Sequence, residues 1–331
     1  MKPSQNPADS PLQQAFANLR ENLEQAIIGQ PRLVESLLIA LLADGHLLVE
    51  GAPGLAKTTA IKALAARIEA DFHRVQFTPD LLPADLTGTD IFRPQSGQFE
   101  FERGPLFHNI VLADEVNRAP AKVQSALLEA MAERQITIGQ RSWPLPRLFL
   151  VMATQNPIEH EGTFALPEAQ LDRFLMHVTI GYPDAEAEHA ILELARNQTR
   201  EAMTAPMPVR HLLKQDDVFA ARRAVLDVHV APALEKYITE LVLATRDAGR
   251  YDDELAGWIE WGASPRGTIA LDRCVRVRAW LAGRDYALPE DVHAVAHGVL
   301  RHRVLLGYEA EAAGVRPDDA VTRLLERVPL P

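Results

Sequence analysis

Two adjacent acids, Asp114 and Glu115, end the apolar run Ile110-Val-Leu-Ala. A run of that composition reads as a buried strand, and its C-terminal edge is where α/β sheets hold their ligands. Asp114 there can hold the water shell of Mg²⁺, and Glu115 can orient and activate an attacking water. Companion chemistry lies upstream in Gly51-Ala52-Pro53-Gly54-Leu55-Ala56-Lys57-Thr58-Thr59. The apolar run His46–Glu50 precedes this loop and a helical pattern through Ile68 follows it. Strand, glycine-rich loop and helix in that order form a cradle for a nucleotide's phosphates. Backbone N–H groups of the loop and of the helix start point at anionic oxygens. Lys57 is placed to reach the β- and γ-phosphates and the Thr58 hydroxyl to bind Mg²⁺. Ala56 stands where the general pattern G-x-x-x-x-G-K-[ST] has its second glycine, so the loop alone leaves a chance turn at a helix start open.

Three further polar residues sit at element boundaries. Asn156 follows the strand-like Leu148–Val151 within Met152-Ala-Thr-Gln-Asn156-Pro157, placed to hydrogen-bond a γ-phosphate or the attacking water. Arg173 lies in Leu166-Pro-Glu-Ala-Gln-Leu-Asp172-Arg173-Phe174, and Arg266 in Gly262-Ala-Ser-Pro-Arg266-Gly267. An arginine can stabilise the charge that spreads over transferred phosphoryl oxygens. Taken singly, an Asn-Pro pair is a turn and a lone arginine is a surface ion pair.

The elements that must position these residues follow from periodicity. Helical patterns run from Leu12 to Ala26 and, after Pro31, through Val34, Leu37, Leu38, Leu41 and Leu42. Five short apolar runs are candidate buried strands: Leu47–Val49, Arg74–Phe77, Asn109–Ala113, Leu148–Ala153 and His177–Ile180. Helical patterns between several of them, such as Lys122–Arg134, predict an α/β layered core with a largely parallel sheet. Residues 91–101, around Ser96-Gly97, and 135–145, around Gly139-Gln140, carry hairpin signals. Residues 184–196 read as a helix, and Asn197 to Arg210 is polar with two prolines. The junction is therefore placed there, giving an α/β domain over 1–205 and a smaller all-α domain over 206–331.

Composition bounds the rest. Of 331 residues 47% are hydrophobic and 24% charged, with a formal net charge of -11. That acidic balance argues against a protein whose main task is coating nucleic acid. The single cysteine, Cys274, excludes a disulfide framework and a cysteine-rich zinc site within the chain. It reads as a filler of a helix interface. The first residues lack a signal-peptide pattern, and no apolar run is long enough to span a bilayer. A reducing cytoplasm is the simplest compartment. Glu159-His160-Glu161 is a poor metal site, because three adjacent residues cannot all face one ion. Arg301-His302-Arg303 reads as a solvated helix face.

Jointly, GAPGLAKTT, LADEVNRAP, ATQNP, LPEAQLDRF and GASPRG resemble the AAA+ ATPases, and most closely the MoxR family. The family loop reads G-x-P-G-x-A-K-T, so Ala56 is its normal form. The resemblance covers nearly the whole chain, from Ile28-Gly29-Gln30 to the C-terminal helices. It implies a P-loop core followed by a helical lid, with ATP and Mg²⁺ as cofactors. By position, Gly51–Thr59 resembles Walker A, Asp114 and Glu115 Walker B, and Asn156 sensor 1. Arg173 resembles the arginine finger given to a neighbouring subunit, and Arg266 sensor 2, reaching the nucleotide from the lid. Arg118 is a second candidate for contact between subunits. Ile28, Gly29 and Gln30 resemble the segment beside the adenine. The two hairpins resemble the helix-2 insert and the pre-sensor-1 hairpin that line the ring pore. The family implies a homo-oligomeric ring, a hexamer, that remodels or matures a partner protein, often one with a von Willebrand factor A domain. Two other classes stay open: a nucleic-acid motor and a nucleotide-gated scaffold. The tip Pro94–Gln98 carries no Lys or Arg and Ile138–Arg141 carries one, whereas a translocating loop on nucleic acid is expected to be basic.

Overall fold

The computed structural model describes residues 10–139, 141–156, 163–202 and 211–331. Helices α1 (Pro11–Ala26) and α2 (Pro31–Leu42) lead into β1 (Leu47–Glu50), α3 (Lys57–Arg67) and β2 (Phe72–Gln76). A short α4 (Pro83–Thr87) precedes the hairpin β3 (Gly88–Arg93) and β4 (Gln98–Arg103). Then come β5 (Ile110–Asp114), α5 (Ala121–Glu133) and a second hairpin, β6 (Gln135–Ile138) and β7 (Arg141–Pro144). The α/β part closes with β8 (Leu150–Gln155), α6 (Glu168–Leu171), β9 (Met176–Thr179) and α7 (Ala185–Ala202).

The five expected strands are the five strands of one parallel sheet, in the order β2-β5-β8-β1-β9. Its apolar residues alternate between two cores. Leu47, Val49, Ile110, Leu112, Leu150 and Met152 face α2 and α3, while Leu48, Val111, Ala113, Val151 and Ala153 face α5. Helices on both faces explain why the central strands read as unbroken apolar runs. Both expected hairpins form as two-stranded ladders outside the sheet. They touch each other through Phe101 and Trp143, whose rings stack 4.7 Å apart.

The C-terminal region is mainly helical: α8 (Gln215–Leu226), α9 (Pro232–Ala244), α10 (Asp253–Trp258), α11 (Pro265–Leu281), α12 (Pro289–Leu300), α13 (Tyr308–Ala312) and α14 (Pro317–Arg327). A small antiparallel ladder of β10 (Ile259–Trp261) and β11 (Leu305–Leu306) lies among them. The helical region shares one continuous apolar core with α1, α2 and the α3 side of the sheet. Phe16 of α1 meets Trp280 of α11 edge to face at 5.3 Å. Cys274 is buried in that core, and burial pushes its thiol up to about 12. Among the described residues no helix is long and apolar enough to cross a membrane. The expected junction began at Asn197, but α7 runs on to Ala202; the expected boundary between 205 and 206 lies outside the described residues, as do Gln140, Pro157 and Glu159-His160-Glu161.

Candidate active site

The loop after β1 follows from its backbone demands. A Cβ on Gly51 would meet Ile180 side-chain and backbone atoms within 3 Å, so only glycine passes beside β9. Gly54 and Ala56 both take positive φ, 85° and 58°. Ala56 thus adopts the left-handed backbone without being glycine, at a cost of about 1–2 kcal/mol. It is the residue just before α3, whose first turn contains Lys57, Thr58 and Thr59 with N–H groups that have no partner within the helix. The Lys57 ammonium donates to the Gly51 carbonyl. Burial lowers its pKa, opposed by Asp114, Glu115 and Glu50. Lys57 is thus electrostatically linked to three carboxylates at the C-terminal edge of the sheet.

Those acids are held from neighbouring strands. Asp114 is buried, and its Oδ2 accepts from Arg74 Nε at 3.0 Å and Nη2 at 2.6 Å. Thr154 Oγ1, on β8, donates to Asp114 Oδ1 at 2.6 Å and accepts the Glu115 backbone N–H at 2.9 Å. Glu115 sits at a φ of 58°, and its Oε2 accepts from Gln76 Nε2 at 2.7 Å. Arg118 pairs with that same oxygen at 3.2 Å, so it faces the acid of its own chain. Asn156 is buried at the end of β8. Glu50, the last residue of β1, lies 2.9 Å from His177 Nε2 and accepts from Gln155 Nε2 at 3.0 Å. Its pKa is lowered, first by His177.

Sequence reasoning missed Arg74, Gln76 and Thr154. Thr154 lies inside the quoted ATQNP motif, but only register with β5 reveals what its hydroxyl holds. Arg74 and Gln76 sit in a strand pattern that reads as apolar. Their alternation with Val75 is the signal that was available.

A cleft of about 460 Å³ lies beside the loop, lined by Pro53–Ala56 and Thr59 together with Ile28, Gln30, Tyr182, Pro183 and Ile191. Gln30 is fixed by donating to the Gly181 carbonyl at 2.9 Å. The strip Ile28-Gly29-Gln30 therefore meets the phosphate loop, and the cleft between them is largely apolar. That combination suits a flat base beside an anionic tail.

Arg173 and Arg266 are elsewhere. Both line a second cleft, of about 380 Å³, together with Arg134 and Arg273. The two clefts share no lining residue. The arginine cleft includes Gly45 and His46, which precede β1, and Phe174 and Leu175, which precede β9. The nucleotide-type cleft takes residues that follow the same two strands. The strands are parallel, so the clefts lie at opposite edges of the sheet, separated by about 13 Å of four-residue strand. Arg266 is on the first turn of α11, and its helix start is pinned to the β9 side by Ser264, which donates to Asp172 at 2.8 Å.

Arg301-His302-Arg303 departs from its expected solvated position. Arg303 and His302 are buried. The cluster follows α12 and folds beneath β9, where unpaired carbonyls before the strand accept the guanidinium of Arg303. Charge type alone does not show that such acceptors are waiting.

Comparison with known proteins identifies the family and the fold. Residues 46–176 match the ATPase family associated with various cellular activities (AAA), and residues 256–324 match the AAA lid domain. Chaperone MoxR1 of Mycobacterium tuberculosis is 44% identical over 310 residues, covering 93% of this chain and 80% of that protein. Protein MoxR of Methylorubrum extorquens is 34% identical over 330 residues, covering 96% and 95%. The crystal structure of a Cytophaga hutchinsonii protein superposes with a TM-score of 0.89 at 45% identity, covering 97% of this chain and 96% of the other.

Proposed function

The chain belongs to the MoxR family of AAA+ ATPases, and from that premise we propose that it forms a ring, a hexamer, in which Mg²⁺-dependent ATP hydrolysis drives remodelling or maturation of a partner protein. One observation carries the reading: the phosphate loop and the arginine cleft lie at opposite edges of one sheet. Neither Arg173 nor Arg266 lines the nucleotide cleft of its own chain, which supports their meeting the phosphoryl charge of a neighbour's nucleotide. Head-to-tail contact of this kind closes into a ring or propagates, and the family's ring favours closure.

Within that reading Gly51–Thr59 cradles the triphosphate, with Lys57 on its β- and γ-phosphates, and Ile28, Gly29 and Gln30 flank the base. The donor set fits a hard cation, because Thr58 and Asp114 offer only oxygens and Asp114 keeps lone pairs beyond its bonds to Arg74 and Thr154. Held there by Thr58 and Asp114, Mg²⁺ would supply neutralisation of developing phosphate charge. Glu115 orients the attacking water, aided by Asn156, and holds its proton as the bond breaks. Residues 1–205 serve as the ATPase core and 206–331 as the lid. The hairpins act on the client, for which a protein carrying a von Willebrand factor A domain is the family's example. Nucleic acid is a poor client: the first hairpin carries Asp90, Glu100 and Glu102 against Arg93 and Arg103, and Arg93 is paired with Glu100 at 3.0 Å. The single buried thiol fits a reducing cytoplasm.

The test is a mixture of inactive chains. Arg173→Ala subunits keep a complete nucleotide cleft, and Glu115→Gln subunits keep their arginines. Mixed rings should hydrolyse ATP where each variant alone does not. No recovery in assembled mixtures would show that Arg173 works in its own chain.

A further inference from the structure

Asp172 stands beside Arg173, and both of its carboxylate oxygens are taken by the lid. Oδ1 accepts from Arg303 Nε at 2.7 Å and Oδ2 from Ser264 Oγ at 2.8 Å. Arg303 has a side chain only 2% exposed. Besides that carboxylate it donates to the carbonyls of Asp172 at 3.2 Å, Phe174 at 2.6 Å and Leu175 at 3.2 Å. His302 Nε2 adds a contact to the Phe174 carbonyl at 3.2 Å. The segment from 172 to 175 is therefore gripped by residues 264, 302 and 303, which belong to the helical region.

Ser264 does two things with one hydroxyl. While donating to Asp172 it accepts the Arg266 backbone N–H at 3.1 Å, capping α11. Hydrogen bonds thus run from the Arg266 backbone through Ser264 to Asp172, the chain neighbour of Arg173, whose guanidinium donates to the Leu128 carbonyl of α5 at 3.4 Å. A buried guanidinium must be paired, and multiple charge-assisted bonds resist sliding of one partner over the other. An ordinary surface ion pair would tolerate such sliding.

We propose that Asp172 is a positioning residue: held by Ser264 and Arg303, it registers Arg173 to the lid so that Arg173 and Arg266 meet a neighbour's nucleotide as one rigid unit. The proposal rests on the reading that these arginines act across a subunit interface. It makes the lid of one chain the element that sets the finger presented to the next.

The test uses placement in mixed rings of full-length chains. The parent mixture is Glu115→Gln, which donates the arginines, with Arg173→Ala, which donates the working nucleotide cleft. Asp172→Asn added to the Glu115→Gln chain should cut ATP turnover by about tenfold or more, because misplacing a transition-state group by about 1 Å is that costly. The same change added to the Arg173→Ala chain, whose finger is already gone, should leave turnover within about twofold of the parent mixture. Ser264→Ala, which leaves Arg303 and Asp172 paired, should show the same asymmetry with a smaller drop, and serves if Asp172→Asn fails to assemble. Ring size by light scattering accompanies each mixture. Equal losses in the two placements would mean a merely structural role and overturn the proposal, as would no loss in the arginine-donating chain. A parent mixture that never recovers refutes action across the interface, and the proposal with it. That failure is read separately from a failure of the asymmetry.

Discussion

Replacing Thr154 with Val asks whether the paired acids are held in place by the strand beside them. Thr154 is fully buried, and its single hydroxyl bonds both Asp114 Oδ1, at 2.6 Å, and the Glu115 N–H, at 2.9 Å. Val keeps the volume and the β-branch and removes both bonds. Losing a hydrogen bond to a charged carboxylate costs about 1.5–3 kcal/mol, and leaving a partly buried amide unsatisfied adds about 1 kcal/mol. Asp114 keeps its two bonds from Arg74, which argues for the lower part of that range. The expected loss is about 2–3 kcal/mol in urea unfolding. Function should suffer in a distinctive way. Glu115 occupies a left-handed backbone at φ 58°, a conformation that persists only while its surroundings enforce it. With its N–H released, turnover of ATP should drop about tenfold or more, since the carboxylate no longer points reliably at the attacking water. Nucleotide affinity, measured by titration with a slowly hydrolysed ATP analogue, should change by no more than about threefold, because the loop 51–59 is untouched. Thr154→Ser, which keeps the hydroxyl, should retain most of the turnover. The reasoning is refuted if Thr154→Val matches the parent in both stability and turnover, or if binding collapses while the rate at saturation is unchanged.

Acid should weaken the fold well before carboxylates titrate. His46 is fully buried, with Nδ1 accepting the Val151 N–H, and burial lowers its pKa from 6.5 to about 4, while buried His302 is lowered well below 6.5. The folded chain holds both neutral and the unfolded chain protonates them, so stability should fall as pH drops from 6.5 toward 4, by about 1.4 kcal/mol per pH unit for each histidine. Urea midpoints that do not move between pH 7.5 and 5.5 would contradict this. Ala56→Gly should raise thermal or urea stability by up to about 1 kcal/mol, as relief of left-handed strain outweighs the entropy glycine adds to the unfolded chain. Destabilisation instead would mean that the partly buried Ala56 methyl, packed against the core, contributes more than its backbone costs.

The main architecture was legible because it rests on local patterns. Short apolar runs of strand length flanked by turn residues read as buried strands, and all five entered one parallel sheet within a few residues of their expected limits. Pro11, Pro31, Pro232, Pro265, Pro289 and Pro317 each open a helix, where a missing N–H costs nothing. The hairpins were legible from Gly97 and Gly139, both at positive φ in the turns. The small ladder of β10 with β11 was not, because two or three residues carry no period.

What the sequence determined by itself was the chemistry on hand: a phosphate loop at a helix start, two acids at a strand end, and two arginines at element boundaries. Each is a local matter of residue type and spacing. Which of these meet was decided only by the tertiary structure. Parallel strands carry everything before them to one edge and everything after them to the other, and this separates Arg173 and Arg266 from Lys57, although all flank the same sheet. Packing also turned Arg303 from a surface charge into a buried clamp, because the carbonyls it satisfies come from a segment about 130 residues earlier in the chain.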